Sequence, residues 1–171
     1  MSSRLIYSQG GNQALRDCLI SMFSLEVIHP SKEIYIISPW ITNAEIIDDQ
    51  HLHFGNLFPF ASSKKITLAD ILLTFAWRGS SVRLICDPDN QYTKEFLALL
   101  GNQVECKVLD ENHEKGMMTD NFYLHGSMNF TYSGIYINGE RVRVTTKQSD
   151  INSALISVRA RWEESIDLWN R

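Results

Sequence analysis

The chain lacks an excess of basic side chains. Its 171 residues carry 16 Lys and Arg against 20 Asp and Glu, a formal net charge of −4. A protein that holds nucleic acid through a globally positive field is therefore excluded, and a polyanionic ligand has to be met by a local cluster of cations. No apolar run approaches the ~20 residues of a membrane-spanning helix. The start, Met1-Ser-Ser-Arg-Leu-Ile-Tyr7, has no basic segment followed by a long apolar stretch, so neither a signal peptide nor stable membrane insertion is expected. Cysteine is scarce and unpaired by spacing. Cys18, Cys86 and Cys106 lie far apart in apolar segments with no C-x-x-C pattern, which argues against a zinc knuckle or a redox pair. Free, buried thiols in a reducing, cytoplasmic setting are expected instead. Repeats, low-complexity tracts and linkers are missing too. A hydrophobic fraction of 44% over this length predicts one globular domain spanning 1–171.

What is present reads as alternating helices and strands. Leu15, Cys18, Leu19, Met22, Phe23 and Val27 have helical spacing within 11–28, and Pro30 ends the pattern. Glu33-Ile-Tyr-Ile-Ile-Ser-Pro-Trp40 is a β-branched and aromatic run, as expected of a central buried strand. Residues 43–66 are the least regular and read as an insertion; they contain His51, His53, the aromatic patch Phe54–Phe60, Lys64 and Lys65. A helix begins at a capping box of Thr67 and Asp70 and stops before Gly79. A strand over 82–86, a helix closed by Gly101 and a strand over 104–108 follow. This order predicts βαβ units, hence an α/β fold with a mixed, largely parallel sheet and helices on both faces. Short strands are expected within 114–119, 122–127 and 140–146. A final helix is expected over 151–170, with Ile151, Leu155, Val158, Trp162, Ile166 and Trp169 on one stripe.

The chemistry is concentrated in residues 113–140. In extended backbone His113 and Lys115 share a face, as do Ser127 and Asn129, and the intervening turn can lay the two segments side by side. An imidazole titrates near neutrality and can attack phosphorus, an ammonium neutralises phosphoryl oxygens, and hydroxyl and carboxamide groups bind the same oxygens. Gly126 allows close backbone approach. Glu140 alternates with Val142 and Val144, hence inward, where a carboxylate can orient a histidine; Arg141 and Arg143 face the other way.

His113-x-Lys115-x4-Asp120, then Gly126-Ser127-x-Asn129 and Glu140, resembles the signature of the phospholipase D superfamily, in particular its small bacterial nucleases. The run Ile36–Ile41 and the terminal helix with Trp162 are similar to the surroundings of that motif. The resemblance implies a phospholipase D-like fold and a metal-independent, cofactor-free phosphodiesterase, most simply a nuclease acting on DNA or RNA through a phosphohistidine. It implies His113 as nucleophile, Lys115 and Asn129 as phosphate ligands, Ser127 as support, Glu140 orienting His113, and Asp120 holding its turn. Such enzymes use two copies of the motif. This chain has five histidines, and His113 alone is followed two places later by lysine, so a homodimer that brings two His113 rings together is implied. The short form also resembles components of DNA-modification and phage-defence systems, with helicase or DNA-recognition partners.

Other readings of these residues stay open at this level. Without the downstream motif, His113 and Lys115 would be an exposed polar turn. His125 can line the site or pack beneath it. Arg141, Arg143, Lys64 and Lys65 can track a phosphate backbone or simply solvate a surface. His51 and His53 lack matching partners for a metal site, so none is expected. The patch Phe54–Phe60 reads best as a loop folded onto the core or a dimer seam. A phospholipid phosphodiesterase or transferase uses the same chemistry, and a non-catalytic dimeric scaffold binding nucleic acid or a partner subunit keeps only the cleft.

Overall fold

Among the residues described by the computed structural model, 3–9, 13–50 and 54–168, eight strands form one mixed sheet and two more form a small hairpin-like pair. The elements are β1 (Ser3–Ser8), α1 (Ala14–Ile28), β2 (Glu33–Ile37), β3 (Glu45–Asp48), β4 (Lys65–Thr67), α2 (Leu68–Trp77), β5 (Ser81–Ile85), α3 (Gln91–Leu100), β6 (Glu105–Val108), β7 (Gly116–Met118), β8 (Tyr123–Gly126), α4 (Tyr132–Tyr136), β9 (Glu140–Thr145), α5 (Gln148–Glu164) and β10 (Ile166–Asp167). The large sheet runs β1-β9-β8-β7-β2-β5-β6-β10. Its central strand β2 buries Ile34, Tyr35, Ile36 and Ile37, as a strand covered on both faces must. Side chains of α1, α2 and α3 form the core on one face, and α5 covers the other through Ile151, Leu155, Val158 and Trp162. Among the described residues no helix is long and apolar enough to cross a membrane.

The mixed α/β architecture agrees with the sequence pattern, but its parallel share is smaller than expected. Among the strand pairs of the described residues only β2–β5 and β5–β6 are parallel, whereas β1–β9, β9–β8, β8–β7, β7–β2 and β6–β10 are antiparallel. The cause is connection length. Helices α2 and α3 supply the crossovers that parallel pairing needs, while the short turn between β7 and β8 permits only antiparallel neighbours there. The capping box at Thr67 and Asp70 is present, and Gly79 takes the positive φ of a helix terminator.

Three local expectations change. Residues 43–66 are not simply irregular: β3 and β4 pair antiparallel, Ile46, Ile47, Phe58 and Ile66 are buried, and Phe54 and Leu57 pack on the same core. Phe60 stays exposed, and His51 and His53 lie outside the described residues. The last helix ends at Glu164, because the free edge of β6 captures Ile166 and Asp167 as β10, and Lys107 Nζ donates to the Trp162 carbonyl at 3.2 Å. Ile166 is consequently exposed, and Trp169 lies outside the described residues. Finally, the N-terminal segment forms β1, an edge strand on β9 that the sequence pattern did not announce. All three cysteines are free; Cys86 is buried and Cys18 and Cys106 are half-buried. Burial raises all three thiols, Cys106 up to about 12, so none is a ready thiolate at neutral pH.

Candidate active site

The carboxyl ends of β2, β5 and β6 open onto one cavity of about 380 Å³, the usual place for a ligand in a sheet containing parallel strands. Pro39 and Trp40 follow β2, Asp87 and Asp89 follow β5, and Val108 to His113 leave β6; Lys115 and Asn129 complete the wall. Three of the five residues expected to do the chemistry thus share one cavity: His113, Lys115 and Asn129.

Their positions follow from local pairing. β7 and β8 are antiparallel with Gly116 opposite His125, and Gly126 N–H donates to the Lys115 carbonyl at 3.3 Å. That register sets the segment ahead of β7 beside the segment beyond β8. The imidazole of His113 is exposed and has no hydrogen-bond partner among the described residues. Lys115 Nζ donates to the His113 backbone carbonyl at 2.8 Å and makes no ion pair among the described residues, so its charge is not neutralised by a carboxylate. Asn129 is anchored by Ser38, whose Oγ lies 3.4 Å from Asn129 Oδ1, accepts from Phe130 N–H at 3.0 Å and donates to the Trp40 carbonyl at 2.6 Å. Thr42 N–H donates to the Phe130 carbonyl at 3.0 Å, which joins the loop after β2 to the loop after β8.

Ser127 and Glu140 do not line the cavity and are bonded to each other instead. Ser127 Oγ donates to a Glu140 carboxylate oxygen in a short bond and accepts from Arg141 N–H at 3.0 Å. Asn138 Nδ2 also donates to Glu140, and Ser8 Oγ receives the Glu140 N–H. The expected contact of Glu140 with His113 is therefore replaced by contacts with Ser127 and Asn138, because β8–β9 pairing sets Ser127 directly against the start of β9. Glu140 itself faces inward with Val142 and Val144, as alternation requires.

The expected common face of His125 and Ser127 is not found. Gly126 sits at φ +155°, and a Cβ there would stand 2.1 Å from the Arg141 carbonyl oxygen. That close approach breaks the alternation, so Ser127 turns toward Glu140 while His125 remains opposite Arg143 and stacks on Tyr123 at 4.5 Å. Burial, and next the positive charge of Arg143, lower the pKa of His125; Glu114 opposes them weakly. Arg141 and Arg143 are exposed on the outer face of β9, with the Arg141 guanidinium 5.1 Å from the Tyr7 ring centre.

Lys64 and Lys65 are not brought to the cavity. Both belong to the β3–β4 region, where Lys65 pairs with Glu45 at 3.0 Å. Asp120 lies at the opposite end of β7 from His113. Its carboxylate accepts from Lys32 N–H at 2.9 Å and its own N–H donates to Ser31 Oγ, contacts that hold the β7–β8 turn.

Sequence reasoning missed Ser38, Trp40, Gly134 and the acidic side of the cavity. A Cβ on Gly134 would stand 2.3 Å from the Asn129 carbonyl oxygen, so α4 can close on this loop only with glycine there. The available signal was the position of Ser38 and Trp40 immediately after a strand of the parallel part of the sheet. Asp87, Asp89, Asp110 and Glu111 were legible only as turns. Among the described residues no group of three His, Cys, Asp or Glu is arranged to hold a metal ion.

Comparison with known proteins places this geometry in context. A family model described as "Cardiolipin synthase, PLD-like domain" matches residues 24–160. No curated protein is matched by sequence. Among solved structures, NucT from Helicobacter pylori is similar at 16% identity and a TM-score of 0.66, covering 97% of this chain and 98% of that one. Nuc from Salmonella typhimurium, a phospholipase D family member, is similar at 17% identity and a TM-score of 0.65, with 97% of each chain covered. A phosphatidylserine synthase from Haemophilus influenzae is similar at 11% identity and a TM-score of 0.60, covering 97% of this chain and 40% of that one. These likenesses are of fold.

Proposed function

Because the chain belongs to the phospholipase D-like family, we propose that its cavity is the active site of a phosphodiesterase that works through a phosphohistidine, with nucleic acid as substrate. The carrying observation is the meeting, around one cavity, of an exposed imidazole and an ammonium that have, among the described residues, no hydrogen-bond and no carboxylate partner respectively, with an anchored carboxamide. A ring nitrogen of His113 attacks phosphorus, the bond to the leaving alcohol breaks, and that alcohol takes a proton from an acid. Water then attacks phosphorus, gives up a proton, and the phosphorus–nitrogen bond breaks to free the imidazole. Lys115 and Asn129 hold the phosphoryl oxygens as negative charge grows on them. Ser127 and Glu140, bonded to each other and to β9, keep the adjoining backbone in place. The acid is the His113 of a second copy, since this chain contains one such motif.

Nucleic acid is preferred on charge. Arg141 and Arg143 do not line the cavity, but they are exposed on the same strand, β9, and give an acidic chain a local basic stripe along which a polymer reaching beyond the cavity can lie. A phospholipid is the second reading. It is favoured by the description of the matching family model and by the likeness to a phosphatidylserine synthase.

The experiment is incubation of the purified protein, with EDTA present, with labelled single- and double-stranded DNA and RNA and with phospholipid vesicles. Release of shortened strands that falls by at least about 10³-fold in His113→Ala supports the reading. An acid-labile phosphoryl adduct on His113, found by mass spectrometry, supports the covalent step. Hydrolysis of vesicles alone overturns the substrate. An unchanged rate in His113→Ala overturns the mechanism.

A further inference from the structure

The phosphoryl chemistry uses only one side of the cavity. Its other side is made by Trp40, Pro39, Val108 and Leu109, with the carboxylates of Asp87, Asp89, Asp110 and Glu111 around them. Trp40 is 52% exposed, although its neighbours Ile37 and Ile41 are buried. An exposed indole contributes little to folding, yet the backbone that carries it is fastened on three sides. The Trp40 carbonyl accepts from Ser38, Ile41 N–H donates to Thr93 Oγ1 at 3.2 Å, and the Pro39 carbonyl accepts from Asp87 N–H at 2.9 Å. A large flat ring on a fixed backbone at the mouth of a cavity is a preorganised surface for another flat group.

Charge restricts what that group can be. Among the described residues Lys115 is the one Lys or Arg on the cavity wall, and it is already committed to the scissile phosphate. Four carboxylates repel a second phosphate from this side and offer acceptors to N–H groups. Asn112 lies on the same wall. Its Oδ1 accepts from Glu114 N–H at 3.0 Å, while its Nδ2 is buried with no acceptor among the described residues. A nucleobase combines a stacking face, N–H donors for the carboxylates and carbonyl or ring-nitrogen acceptors for such an amide. An ammonium headgroup would satisfy the carboxylates but offers no acceptor, and one indole without further rings is not the aromatic cage that quaternary ammonium groups select.

We propose that this half of the cavity is a nucleobase subsite, in which Trp40 stacks on the base adjoining the phosphate held by His113, Lys115 and Asn129. The subsite makes Trp40 a specificity-determining residue, and it rests on the nucleic-acid reading above.

The test uses dinucleotides with a single phosphodiester, intact or with one base replaced by hydrogen, and glycerophosphocholine as a base-free diester. The wild-type protein, Trp40→Ala and Trp40→Phe are compared by kcat/KM, with circular dichroism as the check on folding. For the wild type, removing one of the two bases should lower kcat/KM by about 5- to 150-fold, the range of one base–aromatic stack. In Trp40→Ala the ratio of intact to base-free rates should fall toward one, and Trp40→Phe should keep most of it. A Trp40→Ala protein that retains the wild-type ratio overturns the subsite while leaving the nuclease intact. Preferential hydrolysis of glycerophosphocholine, lost in Trp40→Ala, overturns it in favour of an ammonium group. A wild type that cleaves no dinucleotide and no longer strand overturns the nucleic-acid reading itself, and the subsite with it.

Discussion

His125 and Ser127 are two positions apart, yet they serve different faces of the sheet. The kink at Gly126 sends Ser127 to Glu140 and leaves His125 on Tyr123 beneath Arg143. This has a consequence for stability. An unfolded histidine takes up its proton near pH 6.5, whereas burial and the Arg143 charge hold the native His125 neutral to lower pH. Between those two values the unfolded chain binds more protons than the native one, so acid favours unfolding. Above pH 6.5 both forms are neutral and the difference vanishes. Thermal melts from pH 8 to pH 5 should therefore show Tm falling more steeply for the wild type than for His125→Gln, with the two curves diverging below about pH 6.5. Parallel curves would show that the imidazole titrates normally. Alternation alone put His125 and Ser127 together; only the backbone torsion at Gly126, set by contact with β9, separates them.

Elements with strong local signals were legible in the sequence. α1 repeats its buried residues at Leu15, Leu19, Phe23 and Val27, α2 carries its own capping box, and β2 is apolar on both faces. Elements defined by a partner were not. β1 exists because β9 offers an edge, β10 because β6 does, and β3 and β4 because they pair with each other across a segment that folds onto the core. Short strands hold few residues of pattern, and their stability comes from the ladder and the core rather than from propensity. The short helix α4 belongs to this second group and is tied to the site through Gly134. Gly134→Ala places a methyl against the Asn129 carbonyl, which α4 can relieve only by moving away. A loss of about 1–3 kcal/mol in urea unfolding is expected. It should be accompanied by a drop in kcat larger than that of the exposed control Ser133→Ala in the same helix. An unchanged kcat would mean that α4 does not position Asn129.

At the scale of the molecule, the single His-x-Lys motif, with its exposed His113, is the feature that calls for a second copy. Sedimentation should give a dimer at the concentrations where the protein is active. Wild-type and His113→Ala chains, unfolded together at equal amounts and refolded, distinguish shared from independent sites. If each reaction needs both histidines, only pure wild-type dimers work and about a quarter of the activity remains; independent sites leave about half. Half, or a monomer with full activity, refutes the shared site. By itself the sequence determined the α/β class, the burial of β2, the capped helices and the candidate group His113, Lys115 and Asn129, since periodicity, caps and a short motif act over a few residues. The tertiary structure decided which of these meet. It gave Glu140 to Ser127, set Arg141 apart from the cavity, left Lys64 and Lys65 with the β3–β4 region, and opposed Lys115 with a wall of carboxylates beside Trp40. Those outcomes depend on register and on contacts between segments far apart in the chain, such as Ser38 with Asn129 and Ser8 with Glu140, and no local pattern carries that information.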